Sequence, residues 1–371
     1  MYSNLFSPLT IGGRQLENRI VMAPLYLGYA GEGGTVSPLL LEHYRLMARS
    51  GAAMITVENA AVDFSRGRGS GRTLRIDTDE NLGGLSRLAD AIKSEGPLAC
   101  IQINHAGRFA AVRDPVAPSA VETFGRTPRA LSVEEMGNIR DQFADAARRA
   151  QSAGFDMVEL HGGTGYLLAQ FLSPRTNRRS DEYGGSLENR LRFPLEVLSA
   201  VRNAAGEYPV GCRLLADEFM PDGLRLEESQ EAARALAGAG LSYLSVMGGT
   251  YESFAKPEII ERSRTEAYMA DLSAAVKNHV RIPVETAGRI ASGQTAENLI
   301  QQGKADLIGL ARVLWADPEW PRKVREGREE EIVPCDPNCG DVCMQLVMKG
   351  KPAYCVQWPP EKTRRFKELF A

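Results

Sequence analysis

No stretch of the 371-residue chain reaches the roughly 18 to 20 apolar residues that a bilayer-spanning helix needs, so no such helix is expected. The opening residues, Met1-Tyr2-Ser3-Asn4-Leu5, lack a basic patch followed by an apolar stretch. That pattern predicts no export leader and makes the cytoplasm the expected location. Excess charge of one sign is missing too: 44 Lys and Arg against 47 Asp and Glu leave a net charge of −3, interleaved along the chain. This gives no electrostatic reason to expect nucleic acid or an anionic membrane as partner. There is no low-complexity linker and no short-period repeat. Cysteine is scarce, but four of the six fall between positions 335 and 355. In a cytosolic protein that clustering favours metal binding over disulfides.

Short β-branched runs alternate with amphipathic helical stretches. The strand candidates are 20–25, 52–59, 98–104, 155–161, 210–216, 243–247, 283–287 and 306–311. Helical patterns cover 37–50, 81–95, 132–153, 186–205 and 226–239, and Ser132-Val133-Glu134-Glu135 reads as a capping box. Alternation of this kind implies a parallel sheet with right-handed crossovers. Eight such units fit a closed (β/α)8 barrel better than an open doubly wound sheet, although periodicity alone does not distinguish them. No glycine-rich dinucleotide fingerprint follows the first strand, which weakens the open-sheet reading. The expected division is a TIM barrel over residues 1–330 and a cysteine-rich extension over 331–371.

In such a barrel the site is built at the C-terminal ends of the strands. Gly288-Arg289 and Ala311-Arg312 follow the last two strands, where backbone N–H groups and arginine forks suit a phosphate. Either arginine could equally solvate a helix end. Arg213, set inside strand five, is costly among apolar neighbours unless an anionic or planar partner meets it. In the run from His161 to Tyr166, His161 and Thr164 could each donate a hydrogen bond to a developing enolate oxygen, and Tyr166 could give a proton to carbon. A strand-end histidine or a tyrosine beside a glycine turn is as often purely structural.

The chain resembles the Old Yellow Enzyme family of FMN-dependent ene-reductases, in particular its branch related to 2,4-dienoyl-CoA reductase. The likeness rests on Leu5-Phe6-Ser7-Pro8-Leu9, Asn18-Arg19-Ile20-Val21-Met22-Ala23-Pro24, His105-Ala106-Gly107-Arg108, and the block from Phe171-Leu172-Ser173-Pro174 through Arg179-Ser180-Asp181-Glu182-Tyr183-Gly184-Gly185-Ser186 to Glu188-Asn189-Arg190. It implies that Ala23, Pro24, Leu25 and Tyr26 back the flavin, with Ala60 and Gln102 against the ring. Arg213 would lie by its N1/O2 end, and Gly288, Arg289, Ala311 and Arg312 would hold its phosphate. Tyr26 and Tyr251 would border the substrate. The implied reaction passes a hydride from reduced FMN to an activated C=C bond of an unsaturated carbonyl, enoate or thioester. A homo-oligomer is common among such proteins. Thr164 stands where many relatives carry His or Asn, and Tyr26 where they often carry Cys or Thr. No histidine lies near Tyr251, which puts dienoyl-CoA itself in doubt as substrate.

Cys335, Cys339, Cys343 and Cys355 have the spacing C-x3-C-x3-C-x11-C, one residue longer in the first gap than the branch's [4Fe–4S] site. Four thiolates suit an iron–sulfur cluster, with structural zinc as the alternative. In the branch the cluster is fed by a C-terminal NAD(P)H-binding domain, which this sequence does not contain. Either NAD(P)H reduces FMN in the barrel, or a separate reductase subunit delivers the electrons. Two other functions compete. One is amine oxidation, weakened because positions 26–36 hold no cysteine to tether a flavin. The other is a non-catalytic electron-transfer subunit.

Overall fold

The computed structural model describes residues 2–368, so the last three positions of the expected extension lie outside the described residues. Its eight parallel strands are β1 (Ile20–Met22), β2 (Met54–Ala61), β3 (Leu98–Asn104), β4 (Met157–Gly162), β5 (Val210–Asp217), β6 (Tyr243–Gly248), β7 (Val284–Thr286) and β8 (Leu307–Leu310). Each strand pairs with the next, and β8 pairs with β1 through Ile308 opposite Ile20. That last pairing closes the sheet into a (β/α)8 barrel, as the alternation of elements predicts. A bulge between Val57 and Ala60 bends β2 where it nears the mouth.

Three of the outer helices begin on a serine cap. The Ser37 hydroxyl accepts from the Leu40 N–H ahead of helix α1 (Pro38–Ala48). Ser132 and Glu135 form the expected capping box of helix α2 (Val133–Ser152). Ser186 caps helix α3 (Leu187–Ala205). Their apolar faces cover the barrel, and the interior of the barrel is layered. At the bottom, Ile11 and Leu16 of an N-terminal hairpin pack on Val21, Met54, Cys100, Met157, Tyr243 and Leu307. Above this apolar plug the inward residues turn polar, with Gln102, Glu159, Arg213, Ser245 and Glu285.

The long block that carries the family likeness braces the loop after β4. Asn177 Nδ2 donates to the carbonyls of Phe171 and Tyr183 at 2.8 and 2.7 Å. The Arg190 guanidinium, buried, donates to the Leu172 carbonyl and pairs with Glu228. The cysteine-rich segment is joined to the mouth of the barrel. Ala353 donates its N–H to the Leu27 carbonyl at 2.9 Å, and the Tyr29 hydroxyl donates to the Ala353 carbonyl at 2.7 Å. Lys323 and Asp317 form a buried ion pair at 2.7 Å, and Asp317 also accepts the Val333 N–H. No helix among the described residues is long and apolar enough to cross a membrane.

Candidate active site

His161, near the end of β4, is buried. Its Nδ1 accepts the Gly163 N–H at 3.2 Å, which leaves the proton on Nε2. Burial, reinforced by the positive charge of Arg213, holds the imidazole well below its ordinary pKa, so the ring is a neutral donor. Tyr166 stands edge-on to it, ring centres 4.7 Å apart, and shares a 2.8 Å hydrogen bond with the Tyr251 hydroxyl. Burial raises both phenols above their usual range, so both keep their protons at neutral pH. Phe109 packs edge-on to both rings, at 6.4 and 5.2 Å, and completes an aromatic wall.

Thr164 lies next to this wall, but its hydroxyl donates to Met247 Sδ at 3.4 Å. The residue is in the left-handed region, φ +56°, a conformation that a β-branched side chain rarely adopts. Of the three sequence-predicted catalytic residues, His161 and Tyr166 come together and the Thr164 hydroxyl is committed elsewhere. Tyr26 is half-buried. Its hydroxyl hydrogen-bonds Ser70, and burial pushes its pKa up to about 12. Pro24, Leu25 and Tyr26 are partly open, whereas Ala23 and Ala60 are buried. Ser70 sits in the glycine-rich turn after β2, where Gly69 lies close enough that a Cβ there would come within 3.4 Å of the Tyr166 hydroxyl. This turn roofs the tyrosines, and sequence reasoning missed it; its three glycines, Gly67, Gly69 and Gly71, gave no sign of which side chains they would face.

Gln102 turns its amide inward, donating from Nε2 to Glu159 at 2.7 Å. Arg213 is the one partly open residue in the middle of β5, and it donates to the Ser245 hydroxyl at 3.2 Å. Gly288 and Arg289 both have positive φ, +111° and +53°. The Arg289 side chain donates to the carbonyls of Ser263 at 2.7 Å and Cys335 at 3.1 Å, and Arg312 pairs with Asp341 at 2.6 Å. Both guanidinium groups therefore reach toward the cysteine-rich segment. Tyr268 was also missed. It lies in the electrostatic field of Arg312, Arg289 and Arg213, and its ring is 3.1 Å from where a Cβ on Gly288 would be.

Cys335, Cys339, Cys343 and Cys355 line one cavity together with Arg312, Trp315 and Tyr354. Burial raises the thiols of Cys335, Cys343 and Cys355, and the Arg312 charge draws the first two back. Among the described residues no group of three or more His, Cys, Asp or Glu side chains is gathered tightly enough for a single metal ion.

With this geometry in place, one family profile matches residues 4–331. The chain belongs to the NADH:flavin oxidoreductase / NADH oxidase family. Within that family it is similar to an NADH oxidase of Thermoanaerobacter brockii, 44% identical over 343 residues that make up 90% of this chain and 52% of the relative. An NADPH dehydrogenase of a Geobacillus strain is 37% identical over 86% of this chain and 93% of the relative. A solved 2-naphthoyl-CoA reductase in complex with 2-naphthoyl-CoA superposes with a TM-score of 0.91 at 30% identity, covering 97% of this chain and 57% of that one. The chain thus spans about half the length of the NADH oxidase and of the naphthoyl-CoA reductase. Family members are NAD(P)H-dependent flavin oxidoreductases.

Proposed function

We propose that this chain reduces a C=C bond conjugated to a carbonyl, as an enoate, enone or thioester, using FMN in the barrel mouth and NAD(P)H as electron source. Residues 1–330 form the flavin-binding barrel in this reading and 331–371 the extension. The single observation that carries it is the neutral His161 donor held edge-on to a protonated Tyr166–Tyr251 pair. The residues at the mouth suit FMN. Pro24 to Tyr26 leave an open floor, Arg213 offers a cation from inside the barrel, and the two left-handed residues Gly288 and Arg289 would turn main-chain groups toward a phosphate. Bound FMN would supply hydride chemistry.

The protein's own part follows from its donors. His161 Nε2–H donates to the substrate carbonyl oxygen and stabilises negative charge as it grows there. Tyr166 holds a proton at its hydroxyl for the α-carbon, and Tyr251, bonded to that oxygen, steadies the phenolate left behind and returns a proton from solvent. The aromatic wall excludes water. In the cysteine-lined cavity four thiolates would suit a [4Fe–4S] cluster, which is larger than one ion and takes its sulfur ligands farther apart than zinc does. Arg312 links that cavity to the phosphate loop. A separate reductase subunit remains the alternative electron source, and assembly into a homo-oligomer belongs to the same proposal.

Anaerobic purification with flavin, iron and sulfide analysis, followed by a screen of activated alkenes with wild type and Tyr166→Phe, tests the reading. The variant is expected to bleach with NAD(P)H as wild type does and to reoxidise with alkene at least about 100-fold more slowly. Equal alkene rates in both proteins, or turnover of amines and no alkene, would overturn it.

A further inference from the structure

Inside the barrel lie two carboxyl groups that the proposed reaction leaves unused. Glu159 of β4 and Glu285 of β7 are fully enclosed. Glu159 is bonded at both oxygens, accepting from Gln102 Nε2 at 2.7 Å and from the Tyr243 hydroxyl at 2.8 Å. Neither oxygen of Glu285 has a partner at full hydrogen-bond geometry, although the Ser245 hydroxyl is close enough to favour its charged form. The space for it is built into the next strand, because a Cβ at Gly309 would fall 2.2 Å from Glu285 Oε1. The charged and titratable groups facing the pair are Cys100 from β3, Cys212 and Arg213 from β5 and Tyr243 from β6, with the Ser245 hydroxyl between Arg213 and Glu285. Arg213 is the cation of this set.

Two carboxylates in one water-poor space beside a single cation cannot both ionise cheaply. We propose that Glu159 and Glu285 share one proton beneath Arg213, and that this pair is a redox-linked proton site under the flavin, a role that rests on the FMN reading. With one proton held, the pair and Arg213 are neutral together. Glu159, bonded twice in the geometry of an acceptor, takes the negative charge, and Glu285 carries the proton. Burial first, and then repulsion from Glu159, raises Glu285 to about 8, and burial raises Glu159 also.

The redox link follows from Arg213. Negative charge gained on the other side of that guanidinium diminishes its pull on the pair and raises the proton affinity of the carboxyls. Above about pH 8 the oxidised protein has released the shared proton. There the two electrons come from the nicotinamide donor, and one carboxylate takes a proton from solvent to become a carboxylic acid, with no bond made or broken elsewhere in the pair.

Infrared spectroscopy across pH on the purified protein tests the pair without reference to flavin or turnover. Wild type is expected to show the carbonyl stretch of a buried carboxylic acid at neutral pH, fading with a midpoint near 8. Glu58, also buried and raised to about 8, contributes a band of its own, so the assignment comes from the difference between wild type and Glu285→Gln. Loss of one band in Glu285→Gln supports the pair, and identical spectra overturn it. If Glu285→Gln does not fold, Glu159→Gln serves: the remaining midpoint is expected to fall, and an unmoved midpoint overturns the sharing. The second arm measures flavin midpoint potential against pH. Above pH 8 wild type is expected to take up one more proton per flavin reduced than Glu285→Gln does. A coloured protein with the same slope in both sinks the redox link, whereas a colourless one sinks the FMN reading and leaves the infrared arm to judge the pair.

Discussion

Thr164 and His161 are three residues apart and were equal candidates as oxyanion donors in the sequence, yet their surroundings part them. The imidazole accepts at Nδ1 and so presents Nε2–H, whereas the threonine hydroxyl is spent on a thioether sulfur, a weak acceptor. Removing a sole oxyanion donor costs about 100- to 1,000-fold in rate. His161→Phe should lose that much in kcat/KM with an activated alkene, and Thr164→Val should stay within about threefold, because its hydroxyl makes no bond toward the site. Steady-state kinetics on the two variants checks this. A loss in Thr164→Val as large as in the histidine variant would return the hydroxyl to the site.

Among the elements, β5 shows how closely the barrel interior is fitted. Gly211 faces the ring of Tyr243 on β6, and a Cβ there would lie 2.0 Å from the ring carbon Cε1. The ring has nowhere to go, since its hydroxyl is bonded to Glu159 and the plug of the hairpin closes the bottom. Gly211→Ala should therefore cost about 1–3 kcal/mol by overpacking. Chemical denaturation should show a lowered midpoint with an unchanged slope, and wild-type stability in this variant would mean that the layer is loose. Elements such as β5 were legible because alternation and length mark a buried strand without knowledge of its neighbours. The cap of α2 was legible for a similar reason, being settled within one turn of chain. The strand ends were less so: 20–25 proved regular only over Ile20–Met22, since past Ala23, whose N–H still meets the Leu310 carbonyl at 3.0 Å, the chain departs from the sheet.

For the whole molecule, buried titratable groups set how stability follows pH. His43 and His105 are lowered by burial to about 3 and about 4, so in the unfolded chain they take up protons below about 6.5 that the folded protein refuses. Their effect is stability that is lost as pH falls. Glu58 and Glu285 are raised by burial to about 8, so their folded forms hold protons that the unfolded chain has released above about 4.5. Their effect is stability present in acid and lost as pH rises toward 8. Between pH 6.5 and 8 the histidines are silent and the carboxyls act, each at about 1.4 kcal/mol per pH unit. Thermal melts should thus show Tm falling across that window in wild type and falling less in Glu285→Gln. An equal decline in both would remove Glu285 from the balance.

What the amino-acid order determined by itself was local or repetitive: eight buried runs at strand length, helices and one cap, a cysteine spacing, and family blocks readable as text. Each depends on residues a few positions apart, where backbone geometry alone carries the information. Tertiary structure decided the rest. It closed the barrel by setting Ile308 beside Ile20, turned the Arg289 and Arg312 side chains toward the extension, and fixed which imidazole nitrogen keeps its proton. It also enclosed Glu285 with Glu159 in a space shaped by Gly309. The physical reason is the same throughout. Charge state and donor direction depend on which distant groups share a dry interior, and only the folded chain brings those groups together.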